Sequence, residues 1–376
     1  VPEDLIEFQR EDELNELKSA HRRALRALAK KEQQTEELVE AVYRAAKDAA
    51  VGMKIPAVPA PKPDKRKGKR EVAVVQLSDW QLGKKSVDYD IDTAAKRLQL
   101  LAEKVKRVVE IQRKDHPVDT VKILLTGDLV ESDGNIFPGQ AYEVEAGGLY
   151  VQIFVKILLT GDLVESDGNI FPGQAYEVEA GGLYVQIFRG AEMLAQFVRA
   201  MAALFPQVEV YGAIGNHGRL GRYSDHSPES NSDAILYNIA RSLVQSEKRV
   251  SWKESLTVGG RHWYDTLDLP GGKIGMIVHG DQFRGGLGMP WYGVAKKASG
   301  WRLSVAPFDY LWFGHWHQPA RLVLADGKIT TWCSPSLESS NRFAQEVVGA
   351  SGEPGQWLMF FDGDGEVSAE YLIRLR

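Results

Sequence analysis

Val121-Lys122-Ile123-Leu124-Leu125-Thr126-Gly127-Asp128-Leu129-Val130-Glu131-Ser132 is an apolar run that stops abruptly at a carboxylate. A short apolar run bounded by glycine reads as a buried strand. Ending it in Gly-Asp sets the carboxylate at the carboxyl edge of a sheet, where open α/β folds build their sites. The same residues recur from Val155 to Ser166, and the identity extends to Phe154 and Phe188, so 121–154 and 155–188 are an exact tandem duplication. Its period of 34 residues is also that of a helix-pair solenoid, but two copies containing a strand and Gly-Asp do not make one. Asp128 and Asp162 therefore compete for one position. Keeping strand, loop and following helix contiguous favours Asp162, with the first copy extruded ahead of it.

Working outward, four more apolar strands end in polar residues of one chemical kind. Val72 to Leu77 ends in Ser78-Asp79-Trp80-Gln81, and Val208 to Ile214 in Gly215-Asn216-His217-Gly218. Lys273 to Val278 stops at His279-Gly280-Asp281, and Tyr310 to Phe313 at Gly314-His315-Trp316-His317. Helices are expected over Thr93–Gln112, 181–204 and Asp233–Val244, each with apolar residues at helical spacing. Trp357–Phe361 and Glu366–Leu375 flank Asp362-Gly363-Asp364-Gly365, a hairpin signal. A single His at a strand end is usually structural. The ordered set of oxygen and imidazole donors at one sheet edge points instead to a site for divalent metal.

The flanks differ in texture. Residues 1–51 read as a helical arm, with Leu14, Leu17, Leu25, Leu28, Leu38, Val42 and Ala46 among many charges, fit to pack on the main domain or to join a homodimer. Residues 52–70 form a Pro- and Lys/Arg-rich linker that cannot build a core, leaving 71–376 as the main domain. A net charge of −5 gives no basic footprint for coating nucleic acid, yet metal ions can reverse the field at a site. The one cysteine, Cys333, forms no internal disulfide, which favours a reducing cytoplasm and reads as packing. No apolar run reaches the ~18 residues of a membrane span.

Asp-x-Gln, Gly-Asp, Gly-Asn-His, His and Gly-His-x-His, in this order from Asp79 to His317, resemble the calcineurin-like metallophosphoesterase family, whose first motif is usually Asp-x-His. Leu77-Ser78-Asp79-Trp80-Gln81-Leu82-Gly83 and the repeated Ile-Phe-Pro-Gly-Gln are similar to the phage and bacterial branch of double-strand-break repair exonucleases. The resemblance implies an α/β fold, a β-sandwich flanked by helices in an α-β-β-α arrangement. It implies two divalent cations, one on Asp79, Gln81 and His317, the other on Asn216, His279 and His315, bridged by Asp162 or Asp128. Two cations sharing an anionic oxygen can clamp both the attacking and leaving oxygens of a phosphoryl transfer. His217 would protonate the leaving oxygen or stabilise its charge; apart from the resemblance, Arg219 next to it is placed either to hold a phosphate or to be an ordinary surface residue. Gln81, a harder and weaker donor than His, leans the site toward Mn²⁺ or Mg²⁺.

The implied activity is that of a DNA exo- or endonuclease in a bacterial or phage-infected cytoplasm, with an ATPase as partner. Two other functions fit parts of the pattern. One is a phosphomonoesterase on phosphoprotein or a small metabolite, against which Glu131 and Glu165 stand where protein phosphatases of the family carry Asp followed by Arg-Gly. The other is a non-catalytic binding scaffold with a degraded site. Trp80 and Trp316, inside two site motifs, are expected to pack rather than to stack on bases.

Overall fold

The computed structural model describes residues 58–62, 64–84, 86, 88–130, 182–219, 231–253, 263–284, 289–325, 327–338 and 352–376. Within them run β1 (Glu71–Leu77), α1 (Ile91–Gln112), β2 (Val118–Leu125), α2 (Gly182–Leu204), β3 (Gln207–Gly212), α3 (Ser232–Leu243), β4 (Val250–Trp252) and β5 (Tyr264–Asp268). There follow β6 (Ile274–Val278), α4 (Trp291–Ser304), β7 (Tyr310–Phe313), β8 (Ala320–Leu324), β9 (Ile329–Cys333), β10 (Gly355–Phe361) and β11 (Val367–Arg374). The arm expected over 1–51 lies outside the described residues, and with it the homodimer contact.

The strands form two mixed sheets, in the orders β11-β10-β1-β2-β3-β4 and β5-β6-β7-β9-β8. Strands β1 to β4 are parallel, as are β6, β7 and β9. Antiparallel partners flank each parallel block. β1 and β2 are buried along most of their length on both faces, which is why their sequences read as continuous apolar runs rather than alternating ones. Val74, Leu124 and Tyr211 of the first sheet pack against Ile277, Trp312 and Trp332 of the second, where the two indole rings stack 5.5 Å apart at 12°.

Helices cover the outer faces. α4 lays Val294 and Ala298 against Met276, Val278, Leu311 and Phe313 of the second sheet. α1 buries Ala94, Leu98, Leu101, Val105 and Val109, a stripe at three- and four-residue spacing, and is capped by Asp90, whose carboxylate accepts from the Thr93 N–H at 2.7 Å. α1 and α2 lie beside each other over the first sheet, completing the α-β-β-α sandwich. No helix among the described residues is long and apolar enough to cross a membrane.

The duplicated unit is used in halves. β2 comes from the first copy, whereas α2 begins in the second. Each half is the copy closer in sequence to its fixed neighbour: Arg113–Pro117 joins α1 to β2, and Phe205–Pro206 joins α2 to β3. The rest of both copies falls between Leu125 and Gly182.

The end of the linker is tied to the domain. Arg66 donates to the carbonyls of Lys114 and Arg113 and pairs with Asp64, and Arg70 pairs with Asp119. Two of its charges are thereby committed to the end of α1 and the start of β2.

Candidate metal centre

Parallel strands release their carboxyl-end loops at one edge, and the backbone of those loops is unusual. Among the described residues, six non-glycines have positive φ: Asp79 (50°), Gln81 (52°), Asp128 (51°), His315 (68°), His317 (52°) and Ala325 (52°). Left-handed backbone costs such residues ~1–3 kcal/mol each and persists where the surroundings over-determine it. Five of the six are ligands nominated from sequence. The loops after β1 and β2 stay paired beyond the strands, with Asp79 N–H to Gly127 O at 3.0 Å and Gln81 N–H to Asp128 O at 3.1 Å. Amides freed by the turns go to carboxylates. His315 N–H reaches both Asp79 oxygens at 3.0 Å, and His217 N–H donates to Asp128 Oδ1 at 2.8 Å. Glycine is required at two of these motifs, because a Cβ on Gly215 would overlap the Asp128 carboxylate and one on Gly314 would overlap Ser78 and Asp79.

Asp128 is the carboxylate at the centre. Asp162, which the sequence favoured, lies outside the described residues. Asp128 is 1% exposed and faces His279, with Oδ2 3.0 Å from Nε2. The His279 Nδ1 atom lies 2.8 Å from the Thr126 carbonyl. A carbonyl only accepts, so Nδ1 carries hydrogen and Nε2 is the atom turned to the cleft. Around Nε2 also stand Asn216 Oδ1 at 3.0 Å and His315 Nδ1 at 3.2 Å. Asp128, His279 and His315 form a group whose donor atoms can hold a metal ion.

The electrostatics follow from this crowding. Burial pulls the His279 imidazole down, but Asp128 outweighs it and pushes it up to about 10. Burial, joined by the charge on His279, lowers His315 to about 4. Burial raises the Asp128 carboxyl, yet His279 and His217 hold it well below the usual carboxylate range. Without metal, one proton on His279 Nε2 therefore stands among the lone pairs that would face a cation.

The Asp79 side is built differently. Asp79 is fully buried, accepts from Ser78 Oγ, and has Oδ1 3.2 Å from His317 Nε2. Burial lowers His317, but the facing carboxylate raises it overall. Gln81 is fully buried and neither its amide oxygen nor its nitrogen has a hydrogen-bond partner among the described residues. A buried amide left so costs ~1–3 kcal/mol. An unsatisfied buried carbonyl oxygen two residues from Asp79 fits a place for a hard cation.

His217 and Arg219 border this cleft. His217 is 18% exposed, with Nε2 3.8 Å from Asp128 Oδ2, and Arg219 pairs with Asp281. Trp80 is fully buried and Trp316 packs against the outer cluster of the second sheet, both as expected; Cys333 is buried in the same cluster. The motif reading missed Asp233, which accepts backbone N–H groups of both the Asp128 and Gly215 loops. Burial and the nearby Asp128 raise its carboxyl to about 6, against those hydrogen bonds. Its signal in the sequence, Asn-Ser-Asp at a helix start, is that of an ordinary cap. Lys84 and Glu338, a buried pair at 3.4 Å beside the Asp79 loop, were missed as well.

No protein-family profile and no curated protein matches the sequence. Among solved structures the chain is similar to a Streptococcus pneumoniae TIGR4 protein described as a predicted phosphoesterase, at 14% identity over 49% of this chain and 90% of that one, TM-score 0.25. It is similar to Vps29 of Entamoeba histolytica complexed with zinc, at 15% identity over 45% and 82% of the two chains, TM-score 0.25. A hypothetical protein from Pyrococcus horikoshii OT3 is similar at 10% identity over 81% and 89%, TM-score 0.34. What the cleft can do follows from its own side chains.

Proposed function

We propose that the chain is a metal-dependent phosphodiesterase that cleaves DNA as an exo- or endonuclease. The observation that carries this reading is the convergence of Asp128 Oδ2, Asn216 Oδ1 and His315 Nδ1 on His279 Nε2. Such a set of lone pairs, held by strained backbone, is matched to a cation. Asp128, Asn216, His279 and His315 would hold one divalent ion; Asp79, Gln81 and His317 a second, with Asp128 shared. When bound, the ions, Mn²⁺ or Mg²⁺ on this donor set, would neutralise a phosphoester and acidify the attacking water.

The remaining work falls to side chains of the rim. His217, partly exposed and steadied through its backbone by Asp128, is placed to give a proton to the leaving oxygen. Arg219, oriented by Asp281, offers a guanidinium for a non-bridging phosphate oxygen. DNA as the substrate, and an ATPase partner, rest on the motif resemblance, with exposed Lys65, Lys67 and Lys69 of the linker as added positive charge.

The test uses the purified chain, stripped of metal and then given Mn²⁺. It is expected to hydrolyse a bis-aryl phosphodiester faster than an aryl phosphomonoester, and to shorten or nick labelled DNA. A preference for the monoester would overturn the nuclease reading. Failure to take up any metal would leave the fold as a binding scaffold.

A further inference from the structure

One carboxylate outside the ligand motifs organises the Asp128 side. Asp233 is fully buried in the first turn of α3. Its Oδ2 accepts from the backbone N–H of Asp128 and of Gly215, each at 2.8 Å, and its Oδ1 from that of Leu129 at 2.9 Å. Asn231 completes the junction: its Oδ1 accepts from Asp233 N–H at 2.8 Å while Nδ2 donates to the Gly215 carbonyl at 3.0 Å. The start of one helix thus fixes the loops after β2 and β3 against each other, and with them Asp128 and Asn216. The Asp79 loop is paired with the Asp128 loop through Asp79 N–H and Gln81 N–H, and has holds of its own that Asp233 does not reach, its carbonyl accepting from Ser336 Oγ at 2.7 Å and Leu337 N–H at 3.0 Å.

Holding loops together needs only hydrogen-bond acceptors, which a neutral side chain can supply. A second buried carboxylate behind Asp128 instead adds like-charge repulsion, a cost that a cation in front of Asp128 offsets. Groups that orient ligands from behind typically change metal affinity 10–100-fold when removed. We infer that Asp233 is a positioning residue for the cation on the Asp128 side, setting that ligand loop and lending its charge, and that it acts on the Asp79 side only through the shared Asp128. This rests on the metal-dependent reading above.

Calorimetric titration of Mn²⁺ into the metal-stripped full chain tests it, alongside thermal unfolding of the metal-free protein. Two binding events are expected in the wild type. Asp233→Asn should weaken one of them about 10–100-fold and the other, reached only through the shared Asp128, clearly less. Asn231→Ala, which removes the cap but keeps the charge, should lower the melting temperature with little change in either event. Both events unchanged in Asp233→Asn, or both weakened equally by Asp233→Asn and Asn231→Ala, would overturn the inference and reduce Asp233 to a fold element. Should the Asn variant not fold, Asp233→Ser, smaller and neutral, is read by the same criteria. A wild type that takes up no Mn²⁺ would defeat the functional reading as a whole, whereas unaltered binding in the variants defeats this inference alone.

Discussion

The Asp128 and Asp79 sides of the cleft use one device, left-handed residues just past parallel strand ends, but they finish it differently. On the Asp128 side the carboxylate is latched by His217 N–H, and the imidazole of His279 is pinned through Nδ1 to Thr126. Nε2 then has one orientation before any ligand arrives. On the Asp79 side the carboxylate is equally buried and is held by His315 N–H and Ser78 Oγ, but Gln81 ends in an amide without a partner among the described residues. One side is pre-organised and the other waits for its ligand to satisfy it. Tight and weak binding from neighbouring positions is the expected consequence, since pre-organisation removes ordering costs at the moment of binding.

The largest effect should come from the group that both sides share. Asp128→Asn removes the negative oxygen facing His279 and is expected to lower hydrolysis by at least ~10³-fold, the scale of losing a preorganised group in the transition state. Asp162→Asn should leave the rate nearly unchanged. Rate measurements on the two variants in parallel test the assignment; a collapse confined to Asp162→Asn would transfer the bridge to the second copy.

How the two copies divide explains what could be read from the chain. The strands ending at Asp79, Asp128, Asn216, His279 and His315, and the two-sheet architecture they demand, were legible because parallel buried strands write themselves as apolar runs with polar stops. The choice between Asp128 and Asp162 was not legible, because identical residues carry no local preference. α4 was overlooked because Trp291–Ser304 buries only Gly293, Val294 and Ala298 and shows no helical stripe. β8 and β9 escaped too, the former because an edge strand alternating half-buried and exposed residues lacks the run that marked the centre. Asp233 was invisible as a site residue because its role lies in backbone contacts to loops distant in sequence.

A middle-sized effect separates the sides by protons. His279, raised to about 10, must shed its proton before Nε2 can face a cation, while His315, lowered to about 4, is already neutral. Binding on the Asp128 side should therefore release one proton despite its two histidines, and affinity should fall about tenfold per pH unit from pH 9 toward 6. Calorimetry in buffers of different ionisation enthalpy counts that proton; release of two would contradict the neutral His315. The sign for the metal-free protein is fixed by the same shift. A raised histidine pKa stabilises the fold fully below its unfolded value near 6.5, and that stability is lost as pH rises through about 10. Melting temperature of the stripped protein should decline over this window, and bound metal should flatten the decline.

The smallest effect tests the waiting side directly. Gln81 sits at φ 52° with its backbone N–H on the Asp128 carbonyl, so a substitution there keeps the loop provided the side chain tolerates that backbone. Histidine is among the residues enriched in left-handed backbone. Gln81→His would exchange a neutral oxygen donor for a neutral, softer nitrogen without altering the charge of the site. The weaker of the two Mn²⁺ binding events should then tighten about tenfold, ~1.4 kcal/mol, while the tighter event stays put. Zn²⁺ should gain more than Mg²⁺, because imidazole suits the former and oxygen the latter. If Gln81→His alters the tighter event instead, Gln81 faces the Asp128 side, and the division of the cleft into a pre-organised side and a waiting one is wrong.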